Sequence, residues 1–173
     1  MSDVTTPEMA VPEPREEIHE VPLTRTHGAR VLHPTRDQLV TLVQALHDDG
    51  YLMCLDVTGV DYLVFDADRG LPEGVEPERF EVVYQFINHR DRDRLRLRVQ
   101  VPEHDAVVPT LFDLHPGTEA HEREVFDMFG IAFDGHPDLS RILMPEDWVG
   151  HPLRKDGSSG RIPVQFKQAP AAR

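Results

Sequence analysis

Arg94-Leu95-Arg96-Leu97-Arg98-Val99-Gln100-Val101 is the stretch that decides the fold. Its apolar residues Leu95, Leu97, Val99 and Val101 alternate strictly with polar ones, and a period of two marks a strand with one face buried. Working backward, residues 80–87 form a second β-compatible run, and the polar residues 88–93 between the two read as the turn of an antiparallel hairpin. Residues 51–60 supply a third strand-like run, set off from the second by a Gly-, Pro- and acid-rich loop over residues 66–78. The arginine face of 94–101 admits an anion-binding reading. Strict alternation turns polar side chains outward whatever they do, however, and Asp91 and Asp93 stand close by, so a solvated outer face is the expectation.

Two helices flank these strands. Over residues 36–49, Leu39, Leu42, Val43 and Leu46 fall at i, i+3, i+4 and i+7. Thr35 and Gln38 have the spacing of a capping box, and Gly50 stands at the end. This helix is expected to be the first structured element. A second should start near Thr118, with Val125, Phe126 and Phe129 on one side, and stop at the glycine signal Gly130. The fold class expected is α+β: a small mixed or mainly antiparallel sheet with the two helices packed on it, followed by an extended C-terminal arm.

The ends differ from the middle. Residues 1–22 hold six acids against Arg15, with prolines at 7, 12, 14 and 22, too little apolar surface to offset the entropy of ordering. They read as a disordered acidic arm, and they resemble neither a secretory signal nor a mitochondrial presequence. Residues 23–133 read as the core domain. Residues 134–173 read as an extended partner-binding tail with a short extended piece at 142–144 and apolar anchors Leu139, Ile142, Leu143, Trp148, Leu153, Ile162, Val164 and Phe166.

Composition narrows the function. With 18 Lys+Arg against 31 Asp+Glu in 173 residues, the formal charge is −13, which repels phosphate backbones and anionic lipid. No window reaches the roughly 18 to 20 apolar residues of a membrane span. The single Cys54 excludes an internal disulfide framework and an iron–sulfur cluster held by this chain alone and suggests a reducing compartment, while the character of residues 1–22 makes a bacterial cytoplasmic protein the simplest expectation. The ten histidines lack the spacing that sets two imidazoles on one helix face, so no metal ligand set is expected; His136 and His151, each followed by proline, are expected in turns, hydrogen-bonded through their rings. Nucleophile-elbow and phosphate-loop patterns are absent from the sequence, and residues 156–160 read as a flexible polar link.

The second helix carries the densest charge. At about 100° per residue Glu122 and Glu124 lie some 200° apart, whereas Glu124 and Asp127 share a side and call for a cation. Arg123 can pair with Glu119 and Asp127 on the surface, while Arg141, Arg154 and Lys155 can supply a half-buried pair that fixes the tail to the helix. A structural role is expected over acid/base catalysis. No catalytic, cofactor-binding or metal-ligating residue is assigned.

These residues also carry a resemblance. Residues 122–131 (Glu-Arg-Glu-Val-Phe-Asp-Met-Phe-Gly-Ile), then 135–139 (Gly-His-Pro-Asp-Leu), 141–148 (Arg-Ile-Leu-Met-Pro-Glu-Asp-Trp) and 150–156 (Gly-His-Pro-Leu-Arg-Lys-Asp), closely resemble the signature of the 30 kDa subunit family, the C subunits, of proton-pumping NADH-quinone oxidoreductase (respiratory complex I). Asp61-Tyr62, Tyr84 and the strand at 95–101 resemble it too, so the likeness spans roughly residues 36–156. Family members usually carry an aromatic where Ala120 stands, often tyrosine at Phe126, and an aromatic-proline pair at Gly157-Ser158. The resemblance implies a structural subunit of the peripheral, cytoplasm-facing arm of a membrane complex, packed against neighbours that hold the terminal cluster and the quinone pocket. Flavin, iron–sulfur clusters and quinone would then sit on partner subunits. Its implied structural and interface residues are Glu122, Arg123, Glu124, Asp127, Phe129, Gly130, His136, Arg141, Leu143, Trp148, His151, Arg154, Lys155 and Asp156. Two alternatives stay open here: the equivalent subunit of a related membrane-bound hydrogenase or other-donor quinone reductase, and a stand-alone acid/base or metal enzyme using His121, Glu122 and Glu124.

Overall fold

The computed structural model describes residues 16–157. Strands β4 (Met53–Asp61), β5 (Phe80–Asn88) and β6 (Asp93–Val101) form the antiparallel unit that the alternation requires, with β5 and β6 registered from Asn88 opposite Asp93 to Phe80 opposite Val101. Their inward residues include Val82, Tyr84, Phe86, Leu95, Leu97 and Val99, each at most 1% exposed. Against that face packs α1 (Leu39–Asp48), whose Leu39, Leu42, Val43 and Leu46 are buried as its period demands.

The capping box forms: Gln38 N–H donates to Thr35 Oγ1 (3.3 Å) and Thr35 N–H to Gln38 Oε1 (3.0 Å). Helical geometry nevertheless begins at Leu39, because residues 36–38 make a turn first. Gly50 ends the element at φ +98°, close under Asn88, where a Cβ would lie 2.9 Å from the amide nitrogen.

Three expectations need correction. The helix is not the first element: β1 (Glu17–Ile18), β2 (Val21–Thr26) and β3 (Ala29–Leu32) precede it, so residues 16–22 are not an arm but the edge of the sheet. Residues 1–15 lie outside the described residues. The sheet order is β1-β2-β3-β6-β5-β4, mixed because β3 runs parallel to β6 while its other pairings are antiparallel. Second, residues 142–144 are a bend rather than an extended piece. Third, the polar face of β6 is not solvated throughout. The loop over residues 62–79 closes on one end, where Arg98 Nε donates to the buried Glu81 at 2.7 Å, Gln100 Nε2 donates to Glu81 at 2.6 Å, and Arg69 stacks 3.9 Å over the Tyr62 ring.

The second helix, α2 (Glu119–Phe129), follows a short 3-10 turn and ends at Gly130 in the left-handed region, φ +74°. It lies over β4 at Gly59, where a Cβ would come within 2.7 Å of the Phe129 ring, so helix and sheet meet closer than any other residue allows. Two short parallel strands, β7 (Val107–Pro109) and β8 (Ala132–Asp134), bracket α2. Residues 135–157 then fold back along it without regular structure.

Candidate functional site

The two ends of α2 hold buried carboxylates with different partners. Glu122, 0% exposed, accepts from Leu111 N–H at 2.9 Å, from Thr118 Oγ1 at 2.9 Å and from the Thr110 hydroxyl. These neutral donors tie α2 to the segment that leads into it. Tyr84 and Cys54 feel the same buried setting, and both hold their protons more tightly than usual. Burial pushes the Cys54 thiol up to about 12, and burial with the nearby Glu122 charge pushes the Tyr84 phenol up as well. Both shifts act against nucleophilic reactivity at neutral pH.

Asp127, also 0% exposed, faces the tail. One of its oxygens accepts from the backbone amides of Ile142 (3.2 Å), Leu143 (2.8 Å) and Met144 (2.8 Å), while the other pairs with Arg141. This explains the bend at 142–144, since three successive N–H groups can converge on one oxygen only if the chain curls round it. Burial raises the Asp127 pKa, but those amides and the arginine outweigh it, so the carboxyl sits below the usual aspartate range. Arg141 goes on to donate to Gly150 O at 3.0 Å. His151 donates through Nδ1 to the Asp127 carbonyl at 3.0 Å and lays its ring on Gly130, where a Cβ would be 2.7 Å away.

A second fastening holds the far end of the tail. Asp61, at the end of β4, receives the Arg79 guanidinium (3.2 and 3.0 Å), Leu63 N–H (3.0 Å) and Lys155 N–H (2.8 Å). Burial opposes ionisation here too, and Arg79 with the two amides more than offsets it, leaving the Asp61 pKa lowered. Arg79 also bonds Asp156 at 2.9 Å and Glu103, and Arg154 bonds Asp156 (3.1 and 3.0 Å) and Glu103 (3.4 Å). Between the two fastenings Leu143, Trp148, Val149 and Leu153 remain 59, 45, 94 and 47% exposed.

A half-buried pair does join tail and helix, with Arg141 as its cation, but it forms on Asp127 and not on Glu124, while Lys155 contributes its backbone rather than its charge. Arg123 pairs with Glu119 (3.0 Å) as expected but not with Asp127; it reaches instead to Ser140 O, Ser140 Oγ and Arg141 O. Glu124, expected to need a cation, is exposed and makes no hydrogen bond or ion pair among the described residues. His136 is in a turn and donates through Nε2 to Glu119 O at 3.1 Å. The trio His121, Glu122 and Glu124 is not assembled, because Glu122 points inward, Glu124 points to solvent and His121 bonds Gly117 O at 3.2 Å. Asp61, Arg79, Thr110 and Thr118 escaped sequence reasoning. Asp61 had a trace in the Asp61-Tyr62 likeness, and Thr118 stands at i,i+4 to Glu122, a helical spacing that could have revealed its bond, but Thr110 and Arg79 act on partners 12 and 18 residues away and leave no spacing signal.

A family model described as "Respiratory-chain NADH dehydrogenase, 30 Kd subunit" matches residues 32–161. The chain belongs to this family. Among its relatives, the NADH-quinone oxidoreductase C subunit of Mycolicibacterium gilvum is 43% identical over 157 residues, covering 89% of this chain and 64% of the relative. The C subunit of Saccharopolyspora erythraea is 41% identical over 160 residues, 90% of this chain and 59% of the relative, and that of a Roseiflexus species 50% identical over 133 residues, 75% and 70%. The chain thus spans about 60% of the length of the first two. A solved structure of Nqo5, as its trypsin-resistant fragment, matches with TM-score 0.61 and 34% identity over 69% of this chain and 89% of that one. A chain of an archaeal membrane-bound sulfane sulfur reductase shares the fold, with TM-score 0.59 at 23% identity over 80% of this chain and 77% of that one. Among the described residues of this 30 kDa family member, no helix is long and apolar enough to cross a membrane.

Proposed function

We propose that this chain is the C subunit of a proton-translocating NADH-quinone oxidoreductase, a non-catalytic structural part of the peripheral arm on the cytoplasmic side of the bacterial cell membrane. Electrons pass from NADH to quinone in the assembled complex. Flavin, clusters and quinone lie on other subunits, and this chain packs against those that carry the terminal cluster and the quinone pocket. The observation that carries the reading is the saturation of Asp127. Its two oxygens take three amides and a guanidinium from the tail, which leaves that carboxylate holding a strap rather than free for proton transfer. The strap so held turns Leu143, Trp148, Val149 and Leu153 outward, as a docking segment does. The names of the relatives support the choice of complex.

The test is recovery of the tagged chain from its native membranes in mild detergent, with partner identification and NADH:quinone activity measured on the eluate. Flavin- and cluster-bearing partners with that activity are expected. A folded monomer recovered alone from the soluble fraction would overturn the proposal.

A further inference from the structure

The arginine alternation of β6 has an internal use at one end only. Arg98 bonds Glu81, but Arg94 is exposed and has no hydrogen-bond or ion-pair partner among the described residues. Arg96 meets only a neutral group, the Gln85 amide, whose oxygen, once turned to face it, accepts from the guanidinium at 2.7 and 3.1 Å. Arg90 and Arg92 in the preceding turn are exposed and likewise without an ion pair among the described residues. Every other described arginine bonds a carboxylate, apart from Arg69, which stacks on Tyr62. With 31 acids to 18 bases, chance pairing leaves carboxylates over, not a run of arginines on alternate positions.

The surface around them is a sheet face with one apolar row, which starts at Arg94, and one polar row that runs from Arg96 through Gln85 to Asp56 on β4. Arg94 stands opposite Ile87 and Arg96 opposite Gln85 on β5; Ile87 in turn stands opposite Met53, 49% exposed on the edge strand β4. The contacts of the 62–79 loop with this face lie at the Glu81, Arg98 and Gln100 end, away from this half. The turn adds an independent sign: Arg92 holds φ +56°, a left-handed position that glycine or asparagine occupies with less strain. Guarding an open sheet face against aggregation needs charge of either sign, and this chain has acids in excess. A forked guanidinium, by contrast, is suited to gripping carboxylates.

We infer that this open half-face docks an acidic segment of a neighbouring protein in the complex, its carboxylates paired with Arg94 and Arg96 and its apolar side chains laid over Ile87 and Met53. The inference rests on reading the chain as one part of a larger assembly. Charge complementarity selects the partner: a protein surface of opposite sign, facing a cluster of arginines that carry no carboxylate among the described residues.

The experiment places a photo-crosslinking residue at Met53 in the full chain, irradiates native membranes and identifies the attached peptide. The expected result is a peptide from another protein, rich in Asp and Glu, whose yield falls at least tenfold in the double variant Arg94→Glu/Arg96→Glu and recovers in Arg94→Lys/Arg96→Lys. Neither arginine makes an ion pair within the described part of the chain, so the double variant should melt close to the unaltered protein, which separates lost docking from lost folding. Yield unaffected by charge reversal, a peptide without excess acid, or attachment to lipid or to this chain itself would overturn the inference. Co-purification of redox partners without a crosslink sinks this surface alone, whereas an acidic crosslink without redox partners sinks the assignment of the complex and leaves the surface standing.

Discussion

The β5–β6 hairpin and the tail over residues 141–156 are held by opposite kinds of force. The hairpin buries an unbroken set of apolar side chains, Val82, Tyr84, Phe86, Leu95, Leu97 and Val99, and its attachment is mainly the additive burial of apolar surface. The tail buries little apolar surface beyond Met144 and depends on two carboxylates, Asp127 and Asp61, that collect its amides. The first arrangement resists anything short of global unfolding. The second rests on two local fastenings and is expected to open while the sheet stays folded.

The comparison can be broken most forcefully in the sheet. Leu97→Ala removes a fully buried side chain and should cost about 2 to 5 kcal/mol, read from the denaturant midpoint, with sheet and tail lost together. Asp127→Asn should act locally, at about 1 to 3 kcal/mol, because three amides and Arg141 lose the charge they converge on. Hydrogen exchange should then quicken at residues 142–144 but not at 82–86. Equal loss in both regions would end the distinction.

Acidity sharpens it further. The Asp127 and Asp61 pKa values are lowered on folding, so the stability they give is present above the ordinary aspartate value of about 3.9 and vanishes as pH falls through their folded values. Proteolysis of the tail should rise in that acid range. The sheet has its own titrating neighbour in His33, whose pKa burial, with Arg98 adding to it, lowers from 6.5 to about 4. A buried neutral histidine favours the folded state at high pH, and its contribution falls away between 6.5 and about 4 as the unfolded chain gains the proton first. Urea midpoints should therefore decline in that window in a manner that His33→Gln flattens, before the tail is touched. The smallest effect is expected at Glu124→Gln, within about 0.5 kcal/mol in thermal unfolding of the isolated chain, since that side chain is exposed.

How much of this was legible follows the same division. The hairpin could be read residue by residue because burial on one face imposes a period of two, and α1 because the period of 3.6 and the Thr35–Gln38 box coincide. The β2 and β3 strands were hidden by shortness and by the parallel pairing of β3 with β6, which no local pattern announces. At α2 the spacing argument asked for a tail cation and offered Arg141, Arg154 and Lys155, yet it wanted that cation for Glu124 and gave Asp127 to Arg123, and it did not foresee the depth of Glu122. The carboxylate partners there are threonine hydroxyls and backbone amides, and an amide looks the same in every residue but proline.

Gly130 joins the two regions. At that residue the backbone changes hand, with φ +74°, and on the same bare Cα rests the His151 imidazole. One hydrogen atom in place of a methyl thus marks both where the helix stops and how near the returning chain can come. Adding or removing a single residue in α2 would swing that bare spot by about 100° and present the imidazole with a side chain instead. The end of the helix and the path of the segment that closes over it are thus fixed at one residue.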